Sequence, residues 1–264
     1  MKVSLRTRIN LPPEIVWKEV QTARLLILIA WPLMRFEPVG DQPFTSFQAG
    51  GRYEVKLRLF GIIPFGKQWI VTSTHEPDAA TWPKVLRDDG YSALIDKWDH
   101  WITVSPGKGG GTDYLDEVEI SAGPLTPIIW GFAQLFYRHR QRRWRGLAQT
   151  LHARRLIDAE MGRFEAARAT GDVAQAWVAL ERAHIVSQPY LGPHVANHWA
   201  MLRYAFERCD WRETGGQVLR IALAPLGALT GRIPIGNTGR SNVSAFKPML
   251  IADDLLAKLN EVSK

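Results

Sequence analysis

One cysteine, Cys209, is all that 264 residues contain. A lone thiol excludes an intramolecular disulfide and any metal site built from several cysteines, and the expected compartment is a reducing one, the cytoplasm. Long apolar runs are also missing. The longest, Leu25 to Met34, is interrupted by Pro32 and falls well short of the roughly 20 residues a membrane span needs, so it is expected as buried helix and no membrane span is expected. No apolar run follows the early positive charges, so no secretory leader is expected. Nucleotide signatures are absent too. The glycines between Gly107 and Gly111 match no dinucleotide fingerprint, and "GRIPIGNTGRS" lacks the G-K-[ST] whose lysine reaches phosphates. Arg232, Asn237 and Arg240 in that segment remain a candidate anion site, beside the plainer reading of a long ordered loop.

What is present is enough apolar material for a core. With 46% hydrophobic residues, disorder is excluded and the length favours two domains. Lys2 to Ile9 alternates Val3, Leu5, Thr7 and Ile9 with polar residues, the period of a half-buried strand. Pro12-Pro13-Glu14 then starts a helix, expected to pass Trp17 and Val20 and to end near Pro32. Strands are expected at Tyr53–Phe60, Lys67–Thr74, Ser92–Val104 and Thr112–Ile120, with Gly107 to Gly111 as a hairpin turn. From Pro127 the pattern turns helical, with Ile129, Phe132, Phe136 and Leu147 on one face. Beyond Met161 the chain reads as all helix: Val173–Gln188 after a Gly171-Asp172 turn and cap, Pro193–Cys209, Asp210 to about Leu229, and Asp253–Leu259.

Strand, helix, antiparallel strands, long helix is the element order of the START-like and polyketide-cyclase (SRPBCC) superfamily. The first half resembles it through "LPPEIVWKEV" and "WDHWITV…GTDYLDEVEISAG". The resemblance implies an α+β helix-grip domain, a curved antiparallel sheet around a long C-terminal helix with a cavity between them, here residues 1–158. It fixes no chemistry, because such folds serve carriers, receptors, cyclases and dehydratases. The second half, residues 159–264, reads as a small all-α domain. It resembles a bacterial family of unknown function (domain of unknown function 3703) through "ALERAHIVSQ", "HVANHWAML" and "GRIPIGNTGRSNVSAF". Its helical hairpins also have the rhythm of about one tetratricopeptide repeat, too few for a solenoid.

Three groups of residues carry chemistry. In the last strands, alternation places Trp98, His100 and Ile102 on one face and Asp99, Trp101 and Thr103 on the other, with Tyr114 and Asp116 sharing the face of Val118. His100, Asp116 and Tyr114 are the candidate catalytic residues, and Trp98, Trp101, Tyr114, Phe132 and Arg140 the candidate ligand-binding ones. The same residues also suit ordinary cross-strand polar pairs. The second group is basic: Arg138, His139, Arg140, Arg142, Arg143 and Arg145 wrap the long helix, with His139, Arg140 and Arg143 expected toward the sheet. The chain's net charge of +7 suggests anionic partners, but no aromatic platform or recognisable module accompanies the charge, so nucleic acid is not expected. Third, Glu181 and His184 lie three apart and His194 and His198 four apart on neighbouring helices. That is the donor set of a single divalent ion, zinc or iron, or else of a hydrogen-bonded packing seam.

The leading expectation is a carrier or sensor that binds a hydrophobic or amphipathic small molecule, with a helical accessory domain that holds a metal or a protein partner. An enzyme of the cyclase or dehydratase kind acting through His100, Asp116 and Tyr114 is the alternative, and a helical interaction module the third reading.

Overall fold

The computed structural model describes all residues except 41–42, 76–77, 79–80, 109–110, 231–233 and 261–264. It divides into two compact units, Met1–Gln149 and Thr150–Ser263.

The first unit is built on a seven-stranded antiparallel sheet. Its strands are β1 (Lys2–Ile9), β2 (Met34–Pro38), β3 (Arg52–Leu59), β4 (Ile63–His75), β5 (Lys84–Ser92), β6 (Lys97–Pro106) and β7 (Thr112–Ser121). They lie in the order β1-β7-β6-β5-β4-β3-β2, so β2 to β7 form a meander and β1 returns beside the last strand. Helices α1 (Pro13–Val20) and α2 (Ala23–Ala30) join β1 to β2, and α3 (Thr126–Thr170) follows β7. The helix expected to run to Pro32 is thus two. Thr22 separates them, its hydroxyl donating to Glu19 O at 2.7 Å and accepting from Leu25 N at 3.1 Å as the cap of α2. The run expected as one strand, Ser92–Val104, is also divided. The Ser92 hydroxyl accepts from the backbone of Leu94 and Ile95 and turns the chain between β5 and β6.

The core lies where one face of the sheet meets α2 and the first part of α3. Val3, Val118 and Ile120 come from the sheet, Ala23 and Ala30 from α2, and Ala133, Phe136 and Tyr137 from α3. Two side chains of α3 anchor it to β1: Trp130 Nε1 donates to Lys2 O at 2.9 Å and Gln141 Nε2 to Leu5 O at 2.8 Å.

The second unit contains the end of α3, then α4 (Val173–Ser187), α5 (Leu191–Glu207), α6 (Trp211–Thr230) and α7 (Asp253–Asn260). Asp172 caps α4 by accepting from Gln175 N at 3.0 Å. Phe164 of α3 packs with Trp177, Leu180, Met201 and Tyr204, while Ala153, Val186 and Leu255 form a smaller cluster. Buried Glu160 pairs with Arg163 and Arg182, and Arg182 also reaches Asp254 of α7. Among the described residues no helix is long and apolar enough to cross a membrane.

Candidate functional site

The face of the sheet that meets α2 and α3 encloses a cavity of about 280 Å³. Its body is apolar, with Leu25, Phe47, Leu57, Ile70, Phe132 and Phe136 among the walls. Polar groups gather at one part of it. Asp88 on β5 lies directly across from His100 on β6, and both line the cavity with Tyr114, Tyr137 and Arg140. Behind His100 is Asp116. Its Oδ1 lies 2.8 Å from His100 Nε2 and accepts from Tyr114 OH at 3.2 Å, and its Oδ2 accepts from Gln141 Nε2 at 3.0 Å. Alternation along β6 and β7 thus brings the three expected catalytic candidates into one hydrogen-bonded group.

Burial sets the charge states here. It lowers the pKa of His100 although Asp116 works the other way. Asp116 stays below the ordinary carboxylate range because the hydrogen bond from His100, with the charge of Arg140 and the bond from Gln141, outweighs its own desolvation. The ring is therefore neutral and donates from Nε2 to an ionised carboxylate, which leaves Nδ1 as its basic nitrogen. Burial pushes the Tyr114 phenol well up. Asp88 is enclosed by protein around the cavity, and its carboxyl is pushed up to about 7 by desolvation, against the Val71 N–H and Arg140.

Arg140 is the buried member of the basic cluster, only 6% exposed. It lies over the Tyr137 ring at 4.9 Å and the Phe136 ring at 5.7 Å, and its Nε has no hydrogen-bond partner. Among the described residues no carboxylate is within ion-pair distance of it. His139 and Arg143 turn inward as expected only far enough to reach the backbone of Trp31 and Leu28, and Arg138, Arg142 and Arg145 are exposed.

Of the expected ligand-binding residues, Trp98, Tyr114, Phe132 and Arg140 line the cavity. Trp98 stacks on Tyr137 and donates from Nε1 to its hydroxyl at 3.2 Å. Trp101 does not line the cavity. It is one residue out of phase with Trp98 and His100, lies on the other face 41% exposed, and stacks under Arg87. Sequence reasoning missed Asp88, Tyr137 and Gln141. The period of α3 would have pointed to Tyr137 and Gln141, since Tyr137 adjoins Phe136 and Gln141 follows Tyr137 by four residues on the inward side.

In the second unit the three expected histidines meet, with ligand atoms all within 4.8 Å of one another, and could hold a metal ion. His184 Nε2 lies 2.9 Å from His194 Nε2 and 3.2 Å from His198 Nε2. His184 Nδ1 lies 2.9 Å from Asn237 O, and His198 Nδ1 lies 2.7 Å from Gln217 Oε1. Gln217 Nε2 in turn donates to Glu213 Oε1 and Gly239 O, each at 2.8 Å. Gly239 adopts φ 79° and passes so close over the His184 ring that a Cβ there would sit 2.7 Å from Nε2, so the loop needs glycine for both reasons. Gly236 likewise has positive φ, at 77°.

Glu181 does not join the histidines. Arg240 Nη1 donates to it at 3.2 Å, and Arg240, stacked 3.7 Å over the Trp177 ring, also lies 3.1 Å from buried Glu213. One guanidinium holds both carboxylates, which withdraws Glu181 from the cluster. The anion site considered for Arg232, Asn237 and Arg240 is not formed as expected either: Arg240 is paired internally, Asn237 ties its loop to Ser244 O and Lys247 O, and Arg232 lies outside the described residues. Gly109 and Gly110 of the glycine-rich turn do as well; its ends, Gly107 N and Gly111 O, are bonded at 2.8 Å between β6 and β7.

Among known families, one model matches part of the chain: residues 151–259 fit the one described as "Protein of unknown function (DUF3703)". No curated protein matches the chain. Solved structures similar to it include protein CV1439 from Chromobacterium violaceum, with TM-score 0.43 and 16% identity over 56% of this chain and 96% of that one. TTHA0849 from Thermus thermophilus is similar with TM-score 0.41 and 13% identity, over 57% of this chain and 99% of its own. A START superfamily protein from Mycobacterium smegmatis has TM-score 0.39 and 13% identity, over 57% of this chain and 98% of its own.

Proposed function

We propose that the first unit is a carrier or sensor for an amphipathic small molecule whose apolar body fills the cavity and whose anionic or acidic head meets Arg140. The observation that supports it most is Arg140 itself. A buried charge is ordinarily paired, and this guanidinium faces an apolar cavity of about 280 Å³, close to the lower end of the sizes at which small molecules bind, with no direct carboxylate partner. A ligand carboxylate, enolate or phosphate supplies one, bidentately if it has two oxygens. Trp98, Tyr114 and Phe132 supply walls and hydrogen-bonding edges.

The test is a titration of the purified protein with aryl and alkyl carboxylates and with their neutral alcohol counterparts, followed by tryptophan fluorescence. Carboxylates should bind more tightly than the alcohols. Arg140→Gln should weaken them by about 10- to 100-fold, the worth of a hydrogen-bonded charge, and leave the alcohols unchanged. Equal affinity of acids and alcohols for the unaltered protein would rule this reading out.

A second reading, an enzyme of the cyclase or dehydratase kind, is favoured by the His100–Asp116–Tyr114 group. With Nε2–H held by Asp116, Nδ1 of His100 is a base oriented by a carboxylate, and protonated Asp88 opposite it is an acid. Turnover of a bound ligand that His100→Gln abolishes without loss of binding would distinguish an enzyme from a carrier.

A further inference from the structure

We propose that His184, His194 and His198 bind one divalent transition-metal ion of the zinc class through their three Nε2 atoms, with a coordination position left for water or an exogenous ligand. The argument rests on where the ring protons must be. Gln217 donates from its amide nitrogen to Glu213 and to the carbonyl of Gly239, both pure acceptors, which fixes its oxygen toward His198. That oxygen can only accept, so His198 Nδ1 carries a proton. The carbonyl of Asn237 can only accept too, so His184 Nδ1 carries one as well.

As neutral rings with that proton on Nδ1, the two present bare Nε2 lone pairs to each other across 3.2 Å. A packing seam does not explain that contact. A proton on His194 Nε2 would satisfy its own 2.9 Å approach to His184 and leave the His184–His198 pair facing lone pair to lone pair. A cation between them removes the conflict. At zinc–nitrogen bonds of about 2.0–2.1 Å and tetrahedral angles, ligand nitrogens stand roughly 3.3 Å apart, close to the 2.9 and 3.2 Å that separate His184 Nε2 from those of His194 and His198, with all ligand atoms within 4.8 Å of one another.

The surroundings are those of a ligand set rather than of solvated imidazoles. Nδ1–H of His184 is anchored on a backbone carbonyl and that of His198 on Gln217, itself held by buried Glu213, the kind of outer support that fixes tautomer and ring orientation at metal sites. His184 and His198 are buried, and His194 is only half-buried, so the cluster is reached from its side. Glu181 is taken up by Arg240, so the set is three neutral imidazoles without a carboxylate. That favours zinc over the two-histidine, one-carboxylate arrangement of non-haem iron. Three protein ligands leave the fourth position that zinc sites with an exchangeable water retain.

The full chain, stripped with chelator and checked by circular dichroism, would be titrated with Zn²⁺ against a chromophoric competitor and, separately, with Co²⁺ for its visible spectrum. The expected result is one ion per chain and a tetrahedral cobalt spectrum, both lost in His184→Ala and His198→Ala. Glu181→Gln should bind as the unaltered protein does, and Gln217→Met, which keeps the volume and removes the support of His198, should bind about 10- to 100-fold more weakly. Should the alanine variants fail to fold, the Gln217 and Glu181 variants decide. Absence of saturable uptake by the unaltered protein, uptake unaffected by the histidine or Gln217 changes, or loss of it in Glu181→Gln would each overturn the proposal.

Discussion

Asp88 stands in the cavity wall with a carboxyl that titrates at about pH 7, and its effect on stability has a definite sign. In the unfolded chain an aspartate releases its proton near pH 3.9, while the folded protein keeps it until about 7. Between those values the unfolded state binds fewer protons, so stability falls as pH rises through about 4 to 7 and is level above. The full effect is on the order of 4 kcal/mol. Arg140 favours the ionised form, and Asp89 and Asp99 oppose it. Asn at this position keeps an acceptor for Val71 N–H, which Asp88 now serves at 2.9 Å. Urea unfolding from about pH 3 to 8.5, the span that brackets both titrations, should show the Asp88→Asn chain gaining on the unaltered one as pH rises. The difference between the two cancels His100, whose lowered pKa acts in the opposite direction. Parallel profiles would mean that Asp88 is ionised throughout.

Among the elements, those with strong period and clear ends were legible: β1, β7, the start of α3, and the hairpin of α4 and α5 with its histidines. Two strands were not. In β5 the sequence Asp88-Asp89-Gly90 carries turn residues by propensity, yet it runs mid-sheet because Asp88 accepts the Val71 N–H and Gly90 has no side chain to meet Trp69 O, which a Cβ would approach to 2.8 Å. β2 is only five residues long and follows Pro32 too closely for alternation to register. The histidine triad was legible from the i, i+4 spacing of His194 and His198 and the place of His184 on the neighbouring helix, but the loss of Glu181 was not. It depends on Arg240, 59 residues away in the chain, and side-chain competition at that separation leaves no local pattern. The same locality makes the cap of α4 a clean test. Asp172→Ala removes the acceptor for Gln175 N and should cost about 0.5–2 kcal/mol, seen as a lower urea midpoint with an unchanged slope. No shift would show that α4 is held by packing alone.

For the molecule as a whole, the two units share one continuous helix, because α3 runs from Thr126 to Thr170 across the division at Gln149. Ala153, Leu156 and Ile157 pack within the second unit, as do Glu160 and Phe164. A fragment of residues 150–264 is therefore expected to fold with cooperative unfolding, and a fragment of 159–264 to be distinctly less stable, since it loses the contacts of Ala153, Leu156 and Ile157. Fragment 1–149 keeps every strand and should fold on its own. Equal stability of the two C-terminal fragments would place the working boundary nearer residue 158. The placing of β1 has another consequence, one of timing. Lys2 pairs with Glu119 and Ile9 with Thr112, so the strand that leaves the ribosome early waits for a partner roughly a hundred residues behind it. At synthesis rates of about 5–20 residues per second that is a delay on the order of 5–20 s. Throughout it the apolar residues Val3, Leu5 and Ile9 have no sheet to join, and the nascent chain offers a holding chaperone a short, regularly spaced apolar segment.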